Sequence, residues 1–292
     1  MSDRVRVAKA YKMFVNGAFV RSESGRYFQV GSIGEHGADP ERVNIPRASR
    51  KDARDAVVAA KGAQEGWAKR TAYNRGQILY RLAEVVESRR AELVASLARG
   101  GEAESAREVD CAVDRAVYYA GFCDKFQALM ASSNPVAGPH FGFSVPEPMG
   151  VVAILAPARP ALLGLLSTTL PVIAGGNTCV VVAGDADPRT AVLLGECLAT
   201  SDLPGGVINI LLGYAKEVGP HLAKHREVIA MDVWSGDPDL VASLERDGAT
   251  NVKRIRARVP SGEALYGERS GQGIGWIEAF LETKTVWHPV GV

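Results

Sequence analysis

The sequence predicts an α/β fold built on a doubly wound parallel sheet. From residue 150 onward, apolar runs (150–156, 178–183 and 207–213) and the further strand-like stretches 227–234 and 251–259 alternate with stretches of helical period near 161–174, 188–200, 215–224 and 237–247. Strands that read as unbroken apolar runs are covered on both faces, and right-handed crossovers then place helices on either side of the sheet. The first 130 residues read as mainly helical and supply further cover.

The elements follow in order. Residues 11–20, YKMFVNGAFV, read as two short strands joined by Asn16-Gly17, a hairpin turn signal, and RYFQV (26–30) reads as a further strand. Ser49 and Asp52 form a capping-box pattern ahead of Ala53, Ala56, Val57 and Ala60 at helical spacing. A second helix carries Ile78, Leu79, Leu82, Val85 and Val86; Ser88 is placed to cap a third, with Leu93, Val94 and Leu97. A fourth spans roughly 104–128. Residues 131–149 break the pattern with Gly and Pro, and their alternating Phe141, Phe143 and Val145 predict an exposed ribbon that needs a partner. After Val259, residues 260–272 read as a polar, glycine-rich linker, followed in 273–292 by a short helix, WIEAFLE, and a strand, TKTVW. The expected division is therefore 1–130 helical, 131–149 ribbon, 150–259 sheet and helices, 260–272 linker and 273–292 tail.

Composition narrows the function classes. Of 292 residues, 47% are hydrophobic and 23% charged, which suits a globular chain. A net charge of +1 provides no global field for nucleic acid or an anionic membrane. No apolar run approaches the length of a membrane span, and residues 1–15 lack a signal-type apolar core, so a cytoplasmic location is expected. Cys111, Cys123, Cys179 and Cys197 have no metal-like spacing and read as small buried residues. The five histidines are scattered, so no metal site is expected.

Several stretches, in order, carry a family resemblance: YKMFVNGAFV (11–20), EPMGVVAILAP (147–157), AGGNTCVVV (174–182), DLPGGVINILLGY (202–214), NVKR (251–254) and EAFLETKTVW (278–287). Together they resemble the aldehyde dehydrogenase superfamily. With GWAKRTAYNRGQILYRLAE (66–84) and the abrupt passage from NVKR to the tail, the chain is most similar to the non-catalytic second half of the two-domain family-sixteen aldehyde dehydrogenases. The resemblance implies a Rossmann-like domain that binds a nicotinamide cofactor. It also implies a catalytic domain inserted after the NVKR strand, and a β-ribbon plus C-terminal strand that pair with a neighbouring subunit.

The family's chemistry can be sought residue by residue. Its nucleophilic cysteine lies in the inserted domain, and here the linker 260–272 stands in that place, with no cysteine after Cys197. Its oxyanion donor, the Asn of Pro-Trp-Asn, aligns with Arg159 in Pro157-Ala158-Arg159. A guanidinium can stabilise an oxyanion, so that change alone is tolerable. Its general base, the Glu of Leu-Glu-Leu-Gly-Gly, aligns with Arg258, which cannot accept a proton from water. Of the cofactor-binding Lys-Pro-Ser-Glu, only Asp185 keeps a carboxylate. Gly213 and Gly236 survive near the pyrophosphate position, but Asp237 and Asp239 at that helix start can cap it themselves and repel phosphate. These three residues, Asp185, Gly213 and Gly236, are vestigial cofactor positions.

One feature reads as a gain. Arg254, Arg256 and Arg258 alternate along one strand face, with Arg159 at the end of another strand of the same sheet; the row reads either as a solvated sheet end or as an anion or acidic-partner site. The leading expectation is a non-catalytic family member that binds no cofactor and dimerises or docks on a catalytic aldehyde dehydrogenase. The alternatives are an NAD(P)-dependent aldehyde oxidoreductase and a nucleotide-binding module without chemistry. For the ribbon and tail, pairing between subunits is favoured over pairing only with each other.

Overall fold

The computed structural model describes residues 9–31, 42–97, 101–259 and 261–291. β1 (Met13–Val15) and β2 (Ala18–Val20) form the expected hairpin, and Asn16 and Gly17 both adopt positive φ (54° and 74°), as a tight primed turn requires. β3 (Tyr27–Gly31) pairs antiparallel with β4 (Arg42–Pro46), a strand not expected from the sequence. α1 (Arg50–Ala68) starts on the Ser49–Asp52 capping box, and Asp52 also accepts from Ser22 Oγ and the Glu23 N–H, which fastens the β2 turn to the helix.

α2 (Ala72–Ser88) and α3 (Arg90–Leu97) follow. Ser88 does not cap α3. It is the last residue of α2, and its hydroxyl donates back to the Val85 carbonyl. The expected helix of 104–128 is two helices, α4 (Glu102–Phe122) and α5 (Phe126–Met130), because the chain tightens at Cys123, whose N–H bonds the Ala120 carbonyl.

β5 (Ser132–Asn134) and β6 (His140–Pro148) lead into β7 (Val151–Leu155), α6 (Ala161–Ala174), β8 (Thr178–Val182), α7 (Pro188–Ala199), β9 (Ile208–Leu211), α8 (Ala215–Lys224), β10 (Val228–Trp234), α9 (Pro238–Gly248) and β11 (Arg254–Arg258). The sheet order is β11-β10-β7-β8-β9-β1-β2, with β7 to β11 mutually parallel. Strand order reverses between β7 and β10, the feature that makes a doubly wound sheet. α1, α8 and α9 cover one face. α6 and α7 cover the other, with α2, α3 and α4 packed outside them. α6 explains that second layer: all fourteen of its residues are buried, and a helix apolar on every side must sit between layers.

The expected linker is not a free connection. It contains α10 (Gly262–Tyr266), whose Leu265 is buried, and leads to α11 (Ile274–Glu278). Buried Arg115 of α4 holds it. The guanidinium donates to the Leu265 carbonyl (2.8 Å), Gln272 Oε1 (3.0 Å), the Gly271 carbonyl and Ser167 Oγ of α6. Five donors in a rigid fork let one side chain satisfy a turn of backbone that has no sheet or helix partner.

β12 (Leu281–Pro289) pairs with β6 over nine residues, from Leu281 opposite Pro148 to Pro289 opposite His140, with β5 on the far side of β6. The ribbon and tail therefore pair with each other within the chain, and β12 forms the edge of that sheet. Among the described residues no helix is long and apolar enough to cross a membrane, and no three His, Cys, Asp or Glu side chains group to hold a metal ion.

Candidate functional site

Ligands of doubly wound sheets sit at the carboxyl ends of the strands, beside the point where strand order reverses. Here that place is a cleft of about 460 Å³ lined by Asp185, Gly213, Tyr214, Lys216, Glu217, Trp234 and Ser235, among others. Two of the three vestigial positions, Asp185 and Gly213, thus lie on its wall. Gly213 has φ of +137°, which only glycine adopts without strain. Gly236 follows Ser235 in the turn before α9, where a Cβ would meet open space, so the packing does not call for glycine there.

Most of the charged groups of this cleft have partners on the same chain. Asp237 accepts from the Asp239 and Leu240 N–H groups at 3.0 and 3.3 Å, capping α9 as its sequence suggested. Lys216 pairs with Asp237 at 2.7 Å, and these contacts hold the Asp237 carboxyl below its ordinary range. Arg47 forks onto Glu217, with Nε at 2.7 Å from Oε2, and lies over the Tyr214 ring. The start of α9 and the Lys216 ammonium, which could meet a phosphate, are both engaged with Asp237, and Asp185 adds negative charge, whereas the start of α8 on the same wall has no side-chain cap.

Arg258, expected from the sequence to align with the family's general base, is a bolt. Its Nε donates to Asp232 Oδ1 at 3.0 Å, and its guanidinium lies between the rings of Trp234 (4.9 Å to the centroid) and Trp276 of α11 (4.2 Å). Trp234 Nε1 donates to the other Asp232 oxygen at 2.8 Å. Asp232 is 1% exposed; burial raises its pKa, and Arg258 opposes that rise. The unit is a cation held by a carboxylate and two π faces, linking β10, β11 and α11.

The other arginines of the row are placed as follows. Arg254 donates to the Ala279 and Leu281 carbonyls (3.1 and 3.0 Å) and to Glu282, fastening β11 to the tail. Arg256 is half-buried opposite Asp232 on β10, and burial, then Arg258, lowers its pKa. Arg159, exposed on its side chain, reaches Asp187 at 3.5 Å and lines a separate recess of about 170 Å³ with Glu104, Glu108 and Glu263. Arg159 and Arg258 therefore face different neighbours. In that recess buried Glu108 accepts from the Leu162 and Leu163 N–H groups at 2.7 and 3.1 Å, so the N-terminus of α6 is also capped from within.

The four cysteines are free thiols. Cys179 lies in the middle of the sheet, and burial pushes its thiol far up. Burial pushes Cys197 up to about 11, Cys123 up to about 12, and half-buried Cys111 upward as well. None is shifted toward the thiolate that nucleophilic attack requires.

Sequence reasoning missed Arg115, Glu108, Asp232, Trp234 and Trp276. One signal was legible. Asp232 interrupts the apolar run of β10, and a carboxylate inside a covered strand needs a cation.

Comparison with known proteins places this geometry. A sequence profile of the aldehyde dehydrogenase family matches residues 35–264. The cytosolic 10-formyltetrahydrofolate dehydrogenase of Xenopus tropicalis is 31% identical over 252 residues, 84% of this chain and 28% of that protein. The hydroxyisobutyraldehyde dehydrogenase of Mycolicibacterium austroafricanum is 31% identical, over 86% of this chain and 49% of its own length. Human retinal dehydrogenase 2 is 33% identical over 85% and 48%. The chain thus spans half or less of the length of these relatives. Among solved structures, HpcC from Thermus thermophilus superposes with a TM-score of 0.78 at 27% identity, over 87% of this chain and 48% of that one. An NAD+ complex of a Bacillus cereus aldehyde dehydrogenase gives 0.79 at 24% identity, a likeness of fold, over 86% and 51%.

Proposed function

The chain belongs to the aldehyde dehydrogenase family, and from that premise we propose that it is a non-catalytic member whose role is structural or regulatory. In this reading it assembles with a second copy or with a catalytically competent aldehyde dehydrogenase. The observation that carries the reading is the route of the chain after β11. Where an inserted catalytic lobe would begin, the polypeptide passes directly into α10 and α11, held by Arg115 and by Arg258 between its two tryptophans. Nothing on this path brings a cysteine toward the cleft, and Lys216 and Glu217 of its wall are paired with Asp237 and Arg47.

The assembly half of the proposal rests on the β5–β6–β12 sheet. The outer side of β12 has no strand beside it among the described residues, and Phe141 and Trp287 are 52% and 62% exposed. A free strand edge with exposed aromatics favours strand addition by another chain. Native mass spectrometry of the chain, alone and mixed with a complete aldehyde dehydrogenase, tests this. A discrete homodimer or mixed oligomer that Trp287→Lys weakens is expected. A monomer under both conditions contradicts the assembly role.

The second reading is a nucleotide-binding module, favoured by the persistence of the 460 Å³ cleft with Asp185 on its wall. Calorimetry with NAD+ separates it from the first. The self-capped start of α9 leads us to expect no saturable heat.

A further inference from the structure

The strongest concentration of unspent charge lies away from the sheet's carboxyl edge. A concavity of about 910 Å³ opens where the start of α1 meets the end of α8 and the turn after β2. Arg26, Arg50, Lys51, Arg54 and Lys224 line it with Glu23 as the carboxylate. Five cations face one carboxylate on that wall, and with the carboxylates just outside it three of the five are balanced, which leaves Arg26 and Arg50.

Local chemistry does not explain this clustering. Arg50, Lys51 and Arg54 occupy the opening of a 19-residue helix, the end whose dipole favours anions and disfavours cations. Lys51, Arg54 and Lys224 have carboxylate neighbours in Glu23, Asp55 and Asp247. Among the described residues, the side chains of Arg26 and Arg50 form no ion pair or hydrogen bond, and the Arg50 and Lys51 N–H groups meet no acceptor. His221 also lines the wall, and its pKa is held down by burial, then by Arg50 and Lys224, so the site already resists another positive charge.

Shape and composition narrow the ligand. The cations converge on a concavity of small-molecule size from several elements and do not form a stripe. No Phe, Tyr or Trp lines it, and its only rings are the imidazoles of His221 and His225. We infer that this concavity binds a compact soluble anion carrying two or more phosphate groups, through the guanidiniums of Arg26 and Arg50 that line it. The inference is independent of the proposed non-catalytic role.

Calorimetry of the full chain with tripolyphosphate tests it, using the paired variant Arg26→Glu/Arg50→Glu and, as a control, Arg159→Glu. One saturable site per chain is expected, weakened about tenfold or more in the paired variant and unchanged in the control. Orthophosphate is expected to bind more weakly than tripolyphosphate. Acidic residues suit the start of α1, so the paired variant should remain folded; Arg26→Gln/Arg50→Gln provides a second route to the same loss. The inference is overturned by the absence of saturable binding, by equal affinity in the paired variants, or by loss in Arg159→Glu. It is also overturned if the chain sediments with phosphatidylcholine vesicles containing phosphatidylinositol bisphosphate but gives no heat with tripolyphosphate, since the ligand would then be a membrane surface.

Discussion

Two groups of arginines in this molecule meet opposite fates. Arg254 and Arg258 of β11 are spent within the chain, on carbonyls and Glu282 in one case and on Asp232 and two indole rings in the other. Arg26 and Arg50, at the corner of α1 and α8, have no such partners among the described residues. The sequence draws attention to the first group, because a period-two row is conspicuous. In the folded chain that row fastens the sheet edge to the tail and α11, and the unspent charge falls to residues that no motif connects. A regular charge pattern locates a face of a strand, whereas availability to a ligand depends on what packs against that face.

The comparison can be broken most forcefully at Arg258. Arg258→Ala leaves the Asp232 carboxylate buried without its cation, and a loss of about 3–5 kcal/mol in denaturant unfolding is expected. Adding Asp232→Asn should restore part of it. A single variant as stable as the parent would show that the bolt carries no load.

Arg115→Met is expected to cost about 2–3 kcal/mol, because it strands two buried carbonyls. It should also raise amide exchange across 262–273 above that of the sheet. Uniform exchange would mean that the segment docks without its arginine.

Glu108 gives a smaller effect with a definite sign. Glu108→Ala removes the cap of α6 at a cost of about 1–2 kcal/mol. Burial raises the Glu108 carboxyl despite the two N–H donors. A raised folded pKa contributes stability that is full below the ordinary glutamate value and is lost as pH rises through the folded value. Glu108→Gln should therefore match the parent in acid and become the more stable of the two at higher pH. The opposite trend would mean that the N–H donors outweigh burial.

The smallest effect sharpens the other side of the comparison. Arg50→Glu is expected to raise stability by about 0.3–1 kcal/mol, by placing a carboxylate at the start of α1. A destabilised Arg50→Glu would indicate that the cation has a structural partner and is not held for a ligand.

Much of the fold was legible for one physical reason. Strands covered on both faces must be apolar throughout, so β7 to β10 announce themselves, and the helices between them follow from periodicity. The Asn16-Gly17 turn and the Ser49–Asp52 cap were legible because their chemistry is local. What escaped depends on contacts distant in sequence. The docking of 261–272 is set by Arg115, far upstream, as the 150-residue separation of its bond to Leu265 shows. The pairing of β6 with β12 joins segments separated by the whole parallel sheet. At the site, the positions of Asp185, Gly213 and the arginine row could be read, but their neighbours could not. Trp276 faces Arg258 only because α11 folds back over the sheet edge.

In the proposed non-catalytic reading, the carboxyl end of this sheet does not support the family's chemistry. The most direct test of that reading is aldehyde-dependent formation of NADH by the purified chain, supplied with NAD+ and a panel of aliphatic and aromatic aldehydes. No turnover above the protein-free reaction is expected. Turnover that disappears when one of Cys111, Cys123, Cys179 or Cys197 is changed to Ser would contradict it.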